Sequence, residues 1–397
     1  MTNKSISAIF AETAEPRLAT PGMNRATIFF LIVTVVGLSC GVLSFIFGHH
    51  IIYNNTREMP WGMLISTYAF WAITSTGLCI YAAMSHVFGG TRMGIISNRM
   101  VWMSIICIMG AFATIGVEIA SPHRMLIYNI ISPNPTSNIW WMGTLYGMAV
   151  GCMIIEFAGI VTGLARIALI LGVFGAIAEV LANSCLGGVF ATLPARPYWY
   201  GAQLPIYFLT AAFLSGAAAT ILFNVLAYKI RGEKMSHAVH LGVKSAGKAM
   251  TLVLILYAVA TFWRLVSFYV GGPELGRTAA DALISGPLSI NFWVIEVCVG
   301  LLIPIILIIL SRLENVNMMA FAGFLVLVGQ FVARYDLVVA GQIVPQNLGW
   351  DGLPPFFNYV PSIFEFGVIA GGIGVVAFGF LMGERVFGKT FTQKEHH

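Results

Sequence analysis

The chain has 397 residues and a formal net charge of +5, and its composition excludes a water-soluble fold. Hydrophobic residues make up 58% of the chain and charged residues 9%, whereas soluble domains average about 45–50% apolar and about 25% charged residues. Basic residues flank membrane helices in any case, so the positive charge does not indicate a nucleic-acid partner.

Ten apolar stretches follow one another along the chain, and a membrane-spanning helix needs roughly 20 apolar residues. The stretches lie at about 26–47, 62–88, 100–120, 138–162, 167–190, 203–228, 249–271, 286–310, 317–340 and 361–383. They lack the strict alternation of a membrane-barrel strand, so helices are the structure that satisfies the backbone in lipid. The sequence therefore predicts an all-α integral membrane protein with about ten transmembrane helices.

A polar segment that contains Pro16 and Pro21 precedes the first stretch, and no small-residue cleavage pattern follows it. The first stretch is therefore predicted to be a retained helix and not a signal peptide.

Basic residues are distributed unevenly between the two sides of the predicted helices. Fifteen of the 21 Lys and Arg residues lie on the side that carries both termini, and only Arg57, Arg124, Arg196 and Arg277 lie on the other. Because cytoplasmic loops are rich in Lys and Arg, both termini are predicted to be cytoplasmic, with the chain in the cytoplasmic (inner) membrane. The opposite side has long loops at 48–61, 121–137, 191–202, 272–285 and 341–360 that suit docking by a periplasmic or extracellular partner.

A weak internal repeat divides the chain. Trp61-Gly62, Tyr68 and Thr76-Gly77 match Tyr200-Gly201, Tyr207 and Ser215-Gly216 at one offset, and NIWWMGTLYG at 138–147 resembles NFWVIEVCVG at 291–300. Four helices separate the matched units, which predicts two parallel four-helix bundles with one flanking helix at each end. The predicted divisions are a cytoplasmic segment at 1–25, the first helix and loop at 26–58, bundles at 59–200 and 201–345, and the last loop, helix and tail at 346–397. Chance recurrence of Gly and Trp is the alternative.

Charged side chains inside the apolar stretches are candidates for function, because charge at membrane depth is costly. They are Glu118, Glu156, Glu179, Arg264, Glu296, Arg334, Asp336 and Glu365. Arg334 and Asp336 are two residues apart on one helix and need partners on other helices. The predicted proton pathway comprises Glu156, Glu179, Arg264, Glu296, Arg334 and Asp336, with the three glutamates as a carboxylate relay and Arg264 with Glu296 as a suggested pair. Ion pairs that merely hold helices together are the alternative.

A second group of polar residues converges near the non-cytoplasmic surface. A quinone site needs a donor to each carbonyl oxygen and a titratable acceptor inside an apolar slot. The predicted quinone-binding residues are Tyr68, Glu118, His123, Asn134 and Asn183. Interfacial anchors and loop caps are the alternative interpretation of these residues.

Metal and nucleotide motifs are not evident in the sequence. The six cysteines lie inside apolar stretches without zinc or iron–sulfur spacing, and nearly all histidines lie at helix ends or in loops, which does not suit paired haem ligands. No phosphate-binding P-loop occurs. We therefore expect no haem, iron–sulfur cluster or metal site in this chain.

Four passages carry a resemblance to a known family. They are PWGMLISTYAFWAITSTGLCIYAAMSHVFGG at 60–90, ISPNPTSNIWWMG at 131–143, NSCLGGVFATLPARPYWYGAQLP at 183–205 and RYDLVVAGQIVP at 334–345. They resemble the NrfD/polysulfide-reductase membrane-subunit family over most of the chain, and look closest to its ten-helix branch. Relatives often carry an acid followed by Gly-Arg-Pro after the third helix, whereas Glu118, Pro122 and Arg124 keep these residue types at a different spacing.

The resemblance implies a haem-free membrane subunit that binds menaquinone or another quinone and is not active alone. Such a subunit docks a ferredoxin-like iron–sulfur subunit on the periplasmic side and exchanges electrons with further catalytic or cytochrome subunits. The same resemblance implies anaerobic respiration linked to sulfur metabolism, and proton translocation is a further expectation. A secondary transporter with a midplane site between two repeats remains the alternative.

Overall fold

In the part of the chain that the structure describes, ten helices are long and apolar enough to cross a membrane. The computed structural model describes residues 12–15, 18, 20–87, 92–347 and 352–391. The crossing helices are α1 (Pro21–Phe47), α2 (Met63–Val87), α3 (Gly94–Glu118), α4 (Asn138–Thr162), α5 (Ala165–Ala191), α6 (Gln203–Arg231), α7 (His237–Tyr269), α8 (Asn291–Ser311), α9 (Val316–Ile343) and α10 (Ile363–Phe387). The prediction of an all-α, multi-pass integral membrane protein is confirmed.

Local sequence signals set the helix ends. The side chains of Ser137 and Ser236 accept hydrogen bonds from backbone N–H groups in the first turns of α4 and α7. Gly163 and Gly232 end α4 and α6 with φ of 75° and 65°, in the left-handed region that glycine adopts without a steric penalty. The start of α1 and the end of α10 lie on one membrane face, here called the termini face.

The two predicted bundles have similar packing. In the first bundle, α2 and α4 each pack against both α3 and α5. In the second bundle, α6 and α8 each pack against both α7 and α9 in the same way. The bundles join where α2 contacts α6, and α5 and α9 each pack against the other bundle's first helix. Helices α1 and α10 pack together and against α3. The similarity supports the predicted repeat, although the division into domains stays a prediction.

Besides the single helical turn His49–Ile52 in the predicted loop 48–61, two other segments predicted as loops contain short helices, Pro122–Ile131 and Glu274–Ile284. Pro122 suits the first turn of a helix because it lacks an N–H group, and Glu274 places an acid in the first turn of the other. The first carries exposed Leu126, Ile130 and Ile131. Neither helix was predicted from the sequence, because both are too short to form the long apolar run of a membrane-crossing helix.

A further departure from the prediction lies in α8, which is wound as a π-helix over Asn291–Leu302 before it continues as an α-helix. Such winding is rare and is found frequently at functional sites. Much of the predicted segment 1–25, the residues 348–351 of the last long loop and the tail 392–397 lie outside the described residues.

Candidate functional site

The interior of the first bundle holds a carboxylate between three helices. Glu179 of α5 is fully buried, and its oxygens lie 3.0 Å from Ser75 Oγ and 2.7 Å from Thr76 Oγ1 on α2. Ser75 Oγ also lies 3.0 Å from Ser104 Oγ on α3. A hydroxyl can donate to a carboxylate or accept from a protonated carboxyl group, so these hydroxyls can form hydrogen bonds with Glu179 in either state. The arrangement therefore allows Glu179 to gain or lose a proton.

Asn183 lies one turn from Glu179 on the same face of α5, closer to the face opposite the termini. Its side chain is fully buried, and neither its Oδ1 nor its Nδ2 has a hydrogen-bond partner among the described residues. The hydroxyl of Tyr146 on α4 is also buried; it lies near the Thr76 side chain but makes no well-aligned hydrogen bond among the described residues. An unsatisfied buried polar group costs about 1–3 kcal/mol. Native proteins rarely leave such groups unsatisfied, so these atoms point to a partner such as water or a ligand.

Tyr68 of α2 completes this part of the bundle. Its hydroxyl donates to Met142 Sδ of α4 at 3.5 Å, and the ring lies close enough to Tyr146 for their hydroxyls to interact electrostatically. We call Tyr68, Met142, Tyr146, Glu179 and Asn183 the first-bundle cluster. The cluster contains hydroxyl and amide donors, an amide acceptor and a carboxyl group, next to the thioether of Met142. It lies one to three helical turns from the face opposite the termini.

The structure separates the five residues predicted to bind quinone. Tyr68 and Asn183 lie in the first-bundle cluster. Glu118 instead accepts a hydrogen bond of 2.9 Å from Asn55 Nδ2, in the loop that follows α1. His123 lies in the short helix Pro122–Ile131, and Asn134 follows that helix. Both residues are on the face opposite the termini.

Glu365, another buried acid from the sequence, has a structural role. It forms a capping box with Ser362 at the start of α10, accepts from the backbone N–H of Asn54 and accepts from the hydroxyl of Tyr359. Burial and the Glu365 carboxylate raise the pKa of Tyr359 well above its usual range. Burial likewise raises the pKa of Tyr53 to about 12. This network fixes the loops that cover the end of α1.

Glu156 lies in the half of the first bundle nearer the termini face. Its Oε1 is 3.6 Å from His86 Nδ1, and His86 Nε2 is 2.9 Å from Ser97 Oγ. The carboxylate packs against Gly172 of α5, where a Cβ atom would lie only 2.5 Å from Oε1. The sequence did not associate His86 with Glu156, although both occupy corresponding ends of their helices.

A second buried network near the termini face was also missed. Arg99 Nε lies 2.6 Å from Glu384 Oε1, and Arg231 Nη2 lies 2.6 Å from Glu384 Oε2. Arg99 Nη1 also donates to Asn224 Oδ1 at 2.5 Å. These residues join α3, α6 and α10. Their positions near helix ends gave no sequence signal that they would be buried together.

The second bundle contains the remaining buried charges, around a small cavity. The cavity of about 10 Å³ is lined by Arg264, Glu296 and Asp336 together with Tyr198 and Tyr207. This volume holds about one water molecule. Arg264 and Glu296 therefore line the same cavity, but they do not form a direct ion pair within 4.0 Å.

The two arginines of this cluster contact aromatic rings. The Arg264 guanidinium lies 4.4 Å from the Tyr198 ring centroid, and Arg334 lies 5.0 Å from that of Tyr207. Arg334 Nη2 also donates to the hydroxyl of Tyr257 at 3.0 Å, and Asp336 accepts from Asn291 at 3.1 Å. As expected, Arg334 and Asp336 have their partners on other helices.

The predicted relay of three glutamates is thus divided among three places. Glu156 lies beside His86, Glu179 lies in the first-bundle cluster and Glu296 lies in the second bundle. Cys79 of α2 lies close enough to both Glu156 and Glu179 to interact with them electrostatically. The described side chains do not join all three carboxylates through direct hydrogen bonds.

The fold and these clusters define an integral membrane protein whose described residues include ten helices able to cross a membrane and buried polar sites in both bundles. The chain belongs to the NrfD family, since the family model described as polysulphide reductase, NrfD matches residues 52–346. This confirms the resemblance found in the sequence.

Three relatives show how far the similarity extends. A selenate reductase subunit of Mesobacillus selenatarsenatis is 22% identical over 391 residues, covering 86% of this chain and 89% of the relative. The Hdr-like menaquinol oxidoreductase integral membrane subunit of Archaeoglobus fulgidus is 22% identical over 381 residues, covering 90% and 93%. The NrfD homolog of Haemophilus influenzae is 31% identical over 163 residues, covering 40% and 48%.

Proposed function

We propose that the chain is a haem-free, quinone-interacting membrane subunit of a multisubunit respiratory oxidoreductase. Membership of the NrfD family supports this proposal, as does the similarity to a relative named as a menaquinol oxidoreductase membrane subunit. The observation that carries it is the buried Asn183 side chain, which has no partner among the described residues. Its position beside Glu179 places a hydrogen-bonding group next to a proton acceptor.

The first-bundle cluster has the groups that a quinone headgroup needs. The Tyr146 hydroxyl and Asn183 Nδ2 can donate to carbonyl oxygens, and the Tyr68 hydroxyl can do so when it leaves the weak acceptor Met142 Sδ. Asn183 Oδ1 can accept from a quinol hydroxyl. Glu179 then acts as the proton acceptor during quinol oxidation, with Ser75 and Ser104 as the next hydroxyls in the chain. In this proposal the substrate is menaquinone or another quinone of the membrane pool.

The proposed partner is a ferredoxin-like iron–sulfur subunit on the face opposite the termini. The charge asymmetry favours cytoplasmic termini in the inner membrane, which makes that face periplasmic. The first-bundle cluster lies in the half of the membrane nearer that face, and electron transfer favours a short distance between headgroup and docked cluster. His123 and Asn134 then belong to the docking surface, and further catalytic or cytochrome subunits complete the complex.

Proton movement is a separate part of the proposal. Glu179 and the pair of His86 with Glu156 provide protonatable groups at two depths of the first bundle. In the second bundle, Arg264, Glu296 and Asp336 line a water-sized cavity that can hydrate a proton, and Arg334 contacts the ring of Tyr207, which also lines it. Carboxyl groups in lipid are expensive to ionise, which favours reversible protonation over permanent charge.

The alternative of a secondary transporter requires a midplane site between the two bundles. At the crossing of α2 and α6, near the middle of both helices, the backbones of Gly77 and Gly216 are in contact. That contact leaves no room for a solute there. Purification in mild detergent, with mass identification of bound subunits, tests the proposal: an iron–sulfur subunit should remain bound, whereas a stable lone chain with substrate-coupled ion flux would contradict it.

A further inference from the structure

A lipid-facing groove runs between α7 and α8 on the outside of the second bundle. Its volume is about 510 Å³. The walls are apolar and come from Leu252 and Ile255 of α7 and from Ile308 and Ile309 of α8. Leu252, Ile255 and Ile309 are 61%, 51% and 66% exposed, so the groove opens to the surrounding acyl chains.

Two positively charged side chains lie at one end of this groove. Lys248 of α7 and Arg312, which follows α8, both line it and are exposed. Among the described residues, neither has a carboxylate within ion-pair distance. Lys244, one turn earlier on α7, is by contrast paired with Glu314, whose pKa is lowered by that contact. The groove therefore ends at two positive charges that the protein does not neutralise.

The residue pattern of α7 and α8 predicts that these cations lie at the depth of the lipid headgroups. Lys248 lies where α7 changes from a polar first part to the exposed apolar residues Leu252, Leu256 and Val259. Arg312 follows the last turn of α8 on the same membrane face. Lys and Arg at such positions extend toward lipid headgroups while their alkyl parts stay against apolar surface.

The backbone at Arg312 is unusual. Arg312 and Leu313 have φ of 49° and 59°, a left-handed conformation that residues other than glycine seldom adopt. Helices commonly end on a residue in this region, and such conformations also occur at ligand-binding sites, where surrounding contacts impose them. Here Leu313 N–H donates to Ser311 Oγ at 3.2 Å, which fixes the turn. The turn leaves the Arg312 side chain at the mouth of the groove.

We propose that this groove binds one anionic phospholipid from the leaflet at the termini face. The headgroup phosphate lies between Lys248 and Arg312, and an acyl chain lies along Leu252, Ile255, Ile308 and Ile309. Charge complementarity selects an anionic headgroup over a zwitterionic one, because basic residues between crossing helices attract anionic lipid. The site is independent of the proposed quinone chemistry.

The test uses the detergent-purified complex, stripped of lipid and mixed with equal amounts of phosphatidylglycerol and phosphatidylcholine that carry the same acyl chains. Native mass spectrometry should show preferential phosphatidylglycerol binding. The K248Q/R312Q double variant should weaken that binding by roughly tenfold or more, given the contribution of each basic residue near a lipid surface. Arg166→Gln, which removes an exposed cation of the first bundle on the same face, is the matched control and should leave binding unchanged.

A second pair of variants tests the acyl-chain part without changing charge. Ile255→Trp fills the groove and should weaken phosphatidylglycerol binding, whereas Ile170→Trp, at an exposed position on α5, should not. Excess inorganic phosphate should fail to displace the lipid. Equal binding of the two lipids, full binding by K248Q/R312Q or by Ile255→Trp, or displacement by phosphate alone would each overturn the proposal.

Discussion

Gly77 of α2 and Gly216 of α6 are in backbone contact. A Cβ atom at Gly77 would lie 1.9 Å from the carbonyl oxygen of Ala212 and 2.7 Å from Gly216 Cα. The two glycines occupy equivalent positions in the predicted repeat, so the bundles meet at matching points of their first helices. Such a contact is expected when two parallel repeats are related by an axis along the membrane normal. Common origin of the two bundles stays a prediction.

This contact makes Gly216→Ala a test of how the bundles are joined. The added methyl group would lie 2.3 Å from the carbonyl carbon of Gly77, so the helices must separate, at a cost of about 1–3 kcal/mol for overpacking. Thermal unfolding in detergent, followed with a thiol-reactive dye, should show a lower midpoint. Gly151→Ala is the control, because a Cβ there meets nothing within 4 Å. Equal midpoints for the two variants would contradict the account.

Much of the architecture could be predicted from the sequence, because lipid imposes long apolar runs on any crossing helix. The rotation of each helix about its axis could not, and that rotation decides which side chains meet. Glu118 illustrates the limit: it was predicted to bind quinone with Tyr68 and Asn183, yet its carboxylate accepts a hydrogen bond from Asn55 outside the first-bundle cluster. Arg99 and Glu384 form an ion pair although they are 285 positions apart in the sequence. No residue pattern in either helix predicts this pair.

Alkaline pH should destabilise the loop network around Tyr53. Burial raises the pKa of Tyr53 from 10.0 to about 12, and its hydroxyl lies 3.0 Å from the carbonyl oxygen of Val117. Since the folded-state pKa is the higher one, this stabilisation is complete below about pH 10 and is lost as the pH rises from there toward about 12. Tyr53→Phe should therefore show a smaller fall in unfolding temperature over that window than the wild type.

The control for this pH series is Tyr200→Phe, which alters an exposed tyrosine in the loop before α6. It should follow the wild-type curve. If Tyr53→Phe shows the same alkaline loss as the wild type and the control, the titration of Tyr53 does not contribute to stability.

Glu179→Gln should separate proton coupling from quinone binding. Glutamine keeps the size of the side chain and one acceptor oxygen between Ser75 and Thr76, with a donating NH2 group in place of the other oxygen, and it cannot release a proton at neutral pH. In liposomes that contain the assembled complex, quinone binding should stay close to wild type while proton uptake linked to turnover falls. An assembled variant with full proton coupling would show that Glu179 only holds helices together.

The central claim is that the first-bundle cluster receives the quinone headgroup, and Asn183→Leu tests it most directly. Because Asn183 has no partner among the described residues, leucine should leave the unfolding temperature unchanged or raise it. Menaquinone-analogue affinity of the purified complex should nevertheless fall about tenfold, as expected when one hydrogen bond to the ligand is lost at about 1.4 kcal/mol. Ser184→Ala, whose hydroxyl donates to the carbonyl oxygen of Val180 on its own helix, should bind like the wild type. Wild-type affinity in a correctly assembled Asn183→Leu complex would contradict the placement of the quinone in this cluster.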